Sequence, residues 1–147
     1  MKEGAEAARV RDRFGYLLKH ARERLSAISG PALVPTGVNG RELAVLTVLV
    51  EGEPPSQLEA AQRLGIDRST MVTLIDRLEA RGLVERRPHG ADRRKNVVAL
   101  TAAGRKTLAA ASLVVDAAER EFLARLSAQD AARFREMLQA VTSEGPE

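Results

Sequence analysis

Between Ser56 and Thr101 the chain gathers hydroxyl side chains and cations in an arrangement suited to a polyanion. Ser69, Thr70 and Thr73 stand beside Arg68, Val72 and Arg77, and further on Arg86, Arg87, His89, Arg93, Arg94 and Lys95 face only Glu85 and Asp92. Hydroxyls can bond base edges or phosphates, threonine and valine methyls can touch thymine, and arginine can reach guanine or phosphate. A cluster of cations on one loop concentrates positive potential at that place. Bond-breaking chemistry has no comparable support. His20 and His89 are the only histidines and cysteine is absent, and neither histidine belongs to a Ser-His-Asp arrangement. A glycine-rich phosphate loop, an HExxH helix and zinc-ligand spacing are also missing, so no catalytic residue, cofactor or metal is expected.

The elements that must position these groups follow from local signals. Ser56 with Glu59 three residues later reads as a capping box that starts a short helix. Gly65 can take the left-handed conformation that ends it, and Asp67 then caps a second helix. Two helices joined by such a turn form a helix-turn-helix. Met71, Leu74, Ile75 and Leu78 recur at helical spacing and define the buried stripe of the second helix. Ser69, Thr73, Asp76 and Ala80 fall opposite, flanked by Val72 and Arg77. On this reading Ser69, Thr73 and Val72 address bases while Arg68, Thr70 and Arg77 fix phosphates. Gly82 is the expected helix stop, and Leu83–Arg87 and Asn96–Leu100 read as strands around a loop containing Pro88, Gly90 and Asp92. The result is a winged helix. Asp92 and Arg94, at i and i+2 on the tip, suggest a carboxylate that aligns a guanidinium.

The run Arg68-Ser69-Thr70, the run Leu78-Glu79-Ala80-Arg81-Gly82-Leu83-Val84, and Asp92-Arg93-Arg94 ahead of Leu100-Thr101 closely resemble the winged helix of the MarR family of bacterial transcription regulators. The flanking helices occur in the same order, so the resemblance spans essentially the whole chain. One departure is Ala60, where the family more often has leucine. The resemblance implies that Arg94 is the wing residue entering the minor groove, with Arg93 and Lys95 beside it, and that Ser56 and Gln57 complete the DNA-contacting set. It also implies a small-molecule pocket between the dimer helices and the reading head. Tyr16 and His20, one turn apart on the first helix, are the candidates to line it. Their plainer reading is a solvated helix face.

The rest of the chain reads as support. Val10, Phe14, Leu17, Leu18, Ala21, Leu25 and Ile28 predict one helix from about Ala5 to Ile28, ended by Ser29-Gly30-Pro31. Pro31 to Val38 reads as loop, Asn39 with Glu42 caps a helix to about Val50, Thr101 caps a long helix to about Arg125, and Ser127 with Asp130 caps the last. The tail from Ser143 to Glu147 is expected to fray. The expected architecture is mainly α with a small β-wing: one domain over 1–147, a winged helix-turn-helix head at 39–101, and dimerisation helices at 5–28 and 102–142. The terminal helices carry more apolar surface than one small head can cover, which a two-fold homodimer would bury.

A net charge of +3 over 147 residues agrees weakly with a polyanionic partner. The amino terminus lacks an apolar signal core, so a cytoplasmic protein with no membrane partner is expected. The reading is therefore a homodimeric, sequence-specific regulator, a ligand-responsive repressor on a pseudo-palindromic double-stranded operator. The alternatives are a winged-helix module that binds protein and a non-specific architectural DNA binder, which would be governed almost wholly by salt.

Overall fold

The computed structural model describes residues 2–92 and 94–145, so Arg93 and the end of the tail, Pro146 and Glu147, lie outside the described residues. Helices α1 (Lys2–Arg11), α2 (Phe14–Leu33), α3 (Gly40–Val50), α4 (Gln57–Leu64) and α5 (Arg68–Ala80) precede strands β1 (Val84–Pro88) and β2 (Asn96–Leu100), and α6 (Ala102–Phe122) and α7 (Ala128–Thr142) follow. The chain divides into two compact units, Ser29–Asp116 and Met1–Ile28 with Ala117–Glu147. The division falls inside α2 and α6.

In the central unit each helix begins where the local chemistry predicts. Asn39 and Glu42 form a complete capping box on α3, with Glu42 N–H on Asn39 Oδ1 at 2.9 Å and Asn39 N–H on Glu42 Oε2 at 3.1 Å. Ser56 accepts the Glu59 N–H at 3.1 Å, but the return bond from the Glu59 carboxylate does not form, so α4 has only the serine half of its box. Gly65 closes α4 at φ 64° and Asp67 opens α5. The core joins Leu33, Val45, Leu46 and Leu49 to Ala60 and Ala61, the α5 stripe, Val84, Val98, Leu100 and Ala111. Ala60, small where the family favours leucine, is fully buried.

The β1–β2 pair is antiparallel, with Val84 opposite Leu100 and Pro88 opposite Asn96. The strand thus extends through Pro88, expected as loop. On its other edge β2 donates Val98 N–H to Pro55 O at 2.8 Å. Thr101 joins two elements of this unit: its hydroxyl donates to Gly82 O at 2.6 Å while its oxygen accepts Gly104 N–H at 3.0 Å, linking the turn after α5 to the start of α6.

Three helix boundaries differ from expectation. The expected helix from Ala5 to Ile28 is broken at Asp12 and Arg13, where Arg13 N–H bonds Val10 O in a tight i→i+3 turn before α2 begins. Hydrophobic periodicity runs straight through so short an interruption. At the other end α2 continues through Pro31 to Leu33. Burial of Leu33 in the core favours the extra turn, and Val34–Thr36 then form a 3₁₀ turn stopped by Gly37 at φ 80°. Helix α6 ends at Phe122, shorter than expected.

In the terminal unit neither α1 nor α7 buries a single residue fully. Arg24 lies over the Phe122 ring at 5.8 Å, and Arg135 pairs with Glu119 at 3.0 Å. Leu25, Phe122, Leu123, Phe134 and Leu138 line an apolar groove of about 260 Å³. Phe14, Leu17, Leu18, Met137 and Val141 are exposed. No single helix among the described residues is long and apolar enough to cross a membrane.

Gly104 is a position that sequence patterning passes over. A Cβ there would stand 1.9 Å from Leu83 O, a backbone atom held by the Thr101 N–H. Gly104→Ala is expected to lower stability by about 3 kcal/mol, the upper range for overpacking, because a backbone carbonyl cannot step aside as a side chain can. Urea unfolding should show a lower midpoint with an unchanged m-value.

Candidate nucleic-acid interface

Burial of Met71, Leu74, Ile75 and Leu78 fixes the rotation of α5. Ser69, Thr73, Asp76 and Arg77 are consequently exposed, as is Arg68 at the helix start, while Val72 and Thr70 are half-buried. The hydroxyls are engaged within the protein. Asp67 Oδ2 receives Ser69 Oγ at 2.6 Å and Thr70 N–H at 2.9 Å, and Asp67 Oδ1 receives Thr70 Oγ1 at 2.6 Å. Thr73 Oγ1 donates to Ser69 O at 3.1 Å. The hydrogen bonds from Ser69 and then Thr70 hold the Asp67 carboxyl well below the usual carboxylate range. Its capping contribution is in place above the ordinary value near ~4 and is lost only as pH falls through the lowered one. Thr70, expected to donate to phosphate, gives its proton to Asp67 instead and offers the outside only lone pairs.

The wing departs further from its sequence reading. Arg86, counted among the exposed cations, turns inward, with its side chain 24% exposed. Its Nη2 meets Asp76 Oδ1 at 2.6 Å, Nη1 meets Glu79 Oε1 at 2.7 Å, and Nε and Nη2 reach Gln57 Oε1 at 3.0 and 2.8 Å. Its backbone N–H also donates to Glu79 Oε2 at 3.0 Å. Partial burial pulls the guanidinium pKa down, but the bonds to Asp76 and Glu79 outweigh it and hold the pKa above its ordinary value. One arginine thus ties β1 to α4 and α5, and occupies the carbonyl of Gln57, itself an expected DNA contact. Strand alternation carried the signal, since Arg86 shares a face with buried Val84.

At the tip, the Asp92 carboxylate accepts the backbone N–H of Arg94 at 3.0 Å rather than its guanidinium. An aspartate bonding the N–H two residues on is a common turn device. The carboxylate thus shapes the path of the chain at the tip. His89 Nδ1 accepts Ala91 and Asp92 N–H at 3.1 and 3.2 Å, and His89 N–H donates to Lys95 O at 2.7 Å, so the histidine shapes the loop. Arg87, Arg94 and Lys95 are exposed. Ser56 is half-buried at the start of α4, its hydroxyl accepting only the Glu59 N–H. Tyr16 and His20 lie in the terminal unit, exposed and in contact with each other, their ring centroids 4.1 Å apart and their planes tilted by 44°, with His20 Nδ1 3.5 Å from Glu23. They do not line the groove at Phe122 and Phe134.

A MarR family model matches residues 36–95. The transcriptional repressor Rv2887 of Mycobacterium tuberculosis is 32% identical over 130 residues, which are 88% of this chain and 94% of that protein. The chain belongs to the MarR family. Among solved structures, this MarR-family chain is similar to CouR from Rhodococcus jostii RHA1 bound to p-coumaroyl-CoA, at 33% identity and a TM-score of 0.79 over 92% of this chain and 96% of that one. A CouR repressor bound to a 23-mer DNA duplex matches at 30% identity and a TM-score of 0.84 over 91% and 95%. The family consists of transcriptional regulators, not enzymes.

The Arg86 bridge generates a test. Arg86→Met removes the fork, leaving Asp76 without its cation and Glu79 with only the backbone N–H of residue 86, at an expected cost of about 1–2 kcal/mol because both carboxylates are solvent-screened. Hydrogen exchange should accelerate at the β1 and β2 amides while the central amides of α3 remain protected.

Proposed function

We propose that this MarR-family protein is a homodimeric, sequence-specific DNA-binding repressor in the cytoplasm, released from a pseudo-palindromic operator by a small-molecule effector. The carrying observation is the α5 stripe, which leaves Ser69, Thr73 and Arg77 outward, together with the exposure of Arg94 and Lys95 on the wing. Residues 39–101 serve as the reading head. Ser69, Val72 and Thr73 face base edges, and Arg68 and Arg77 hold phosphates. Thr70 lies among them as an acceptor, while Ser56 and Gln57 approach the backbone from the start of α4. Arg94 enters the minor groove, flanked by Arg93 and Lys95, with Asp92 setting the turn that presents it.

The dimer is supported by the terminal helices within 5–28 and 102–142, which leave Phe14, Leu113, Met137 and Val141 largely exposed. Two-fold heads then meet half-sites about one helical turn apart. An effector is supported by the CouR complex with p-coumaroyl-CoA. Tyr16 and His20 are its proposed contacts. An effector acts only through different affinities for the DNA-competent and incompetent states.

Selection of bound duplexes from a random pool tests the reading, and a two-fold consensus is the expected outcome. Sequence-blind binding controlled by salt would point to an architectural protein, and no binding to a protein-interaction module. With the selected operator, Arg94→Ala should weaken binding by about 1–3 kcal/mol and lower the salt slope by about one. Asp92→Ala should also weaken it, although it removes a negative charge, because the turn under Arg94 is lost. Phe122→Asp should place a charge in the apolar groove, costing the dimer several kcal/mol. Light scattering should then find monomers.

A further inference from the structure

The three hydroxyls on the reading helix share a property that residue type alone does not reveal. Ser69 gives its hydrogen to Asp67 Oδ2, Thr70 to Asp67 Oδ1, and Thr73 to Ser69 O. A hydroxyl has one hydrogen and two acceptor positions, so each of these can only accept from outside. The major groove offers hydrogens from two groups, adenine N6 and cytosine N4, whereas guanine N7 and O6 and thymine O4 accept. Resting on the proposed DNA-reading role, we propose that Asp67 sets the hydrogen-bond polarity of this face, holding Ser69 as an acceptor so that the base it meets is adenine or cytosine rather than guanine or thymine.

The placement of Asp67 supports this division of labour. Its side chain lies at the N-cap of α5, where it accepts the Thr70 N–H at 2.9 Å. That bond needs one oxygen lone pair. The carboxylate has several more, and they take the Ser69 and Thr70 hydrogens, both at 2.6 Å, the short range of a charge-assisted bond. Ser69 is exposed, so its free lone pairs point to no competing protein donor among the described contacts. Asp67 is therefore a positioning residue, acting on the base through Ser69. A simple helix cap would serve as well with serine as with aspartate.

Serine at 67 separates the two roles. Asp67→Ser keeps an oxygen for the Thr70 N–H but is one atom shorter and lacks the second oxygen, which frees the Ser69 hydrogen to donate. Duplex selection on the wild type, Ser69→Ala, Asp67→Ser and the double variant, with thermal unfolding of each, forms the test. Ser69→Ala should relax one position per half-site, and in the wild type that position should hold adenine or cytosine with about three- to tenfold preference. Asp67→Ser should erase or reverse this preference with little change in melting temperature. In the Ser69→Ala background it should do nothing further at that position. Guanine or thymine at the position in the wild type, no position relaxed by Ser69→Ala, or an Asp67→Ser matrix identical to the wild type would each overturn the proposal while leaving the regulator reading intact. A wild type that selects no consensus would remove both.

Discussion

The rotation of one helix governs what the central unit can present. Met71, Leu74, Ile75 and Leu78 are buried to 6% exposure or less. Burying side chains of this size contributes about 1.5–3 kcal/mol each, on the order of 10 kcal/mol together. That is comparable with the net stability of a whole domain. Turning α5 by one residue would expose part of this stripe and bury hydroxyls in its place, so the outward set is determined by the inward one. The N-cap at Asp67 and the Gly82 turn fix where the face begins and ends.

Carboxylates lie near this face, which is unexpected beside a polyanion until their partners are considered. Asp67 is filled by its own helix amide and two hydroxyls, and Asp76 and Glu79 are bridged by Arg86. Asp92 receives a backbone amide at the wing tip. Each anion serves as an internal acceptor that orders a neighbouring group. The cost is one arginine withdrawn from the outward positive field, and the return is a wing strand joined to both helices of the helix-turn-helix.

Much of this was legible in the residues because it depends on local rules. Asn39-Glu42, Asp67, Gly65 and Gly82 behave as caps and turns irrespective of what surrounds them, and the α5 stripe follows from a period of about 3.6. Misread features depend on neighbours distant in the chain. Pro31 normally ends a helix, but Leu33 has a core to enter. Arg86 looks like one more wing cation until Asp76, Glu79 and Gln57 are brought to it across 7 to 29 residues of chain. The requirement for glycine at 104 comes from a carbonyl 21 residues earlier, which no periodicity encodes. The i, i+2 spacing of Asp92 and Arg94 points to a guanidinium partner, whereas the carboxylate takes the nearer backbone amide, which costs no side-chain ordering.

The aromatic residues are confined to one of the two units. The chain has one tyrosine, three phenylalanines and no tryptophan, and Tyr16, Phe14, Phe122 and Phe134 all belong to the terminal unit. The core of the central unit is built from aliphatic side chains, alanines and Met71. Tyrosine emission and near-ultraviolet dichroism therefore originate from the terminal helices, and the tilted Tyr16–His20 contact gives that signal a chiral, quenchable environment. The central unit is optically silent in this range. An unfolding curve followed by tyrosine would describe the terminal unit, and one followed by backbone dichroism would describe both, so any difference between the two measures how tightly their unfolding is coupled.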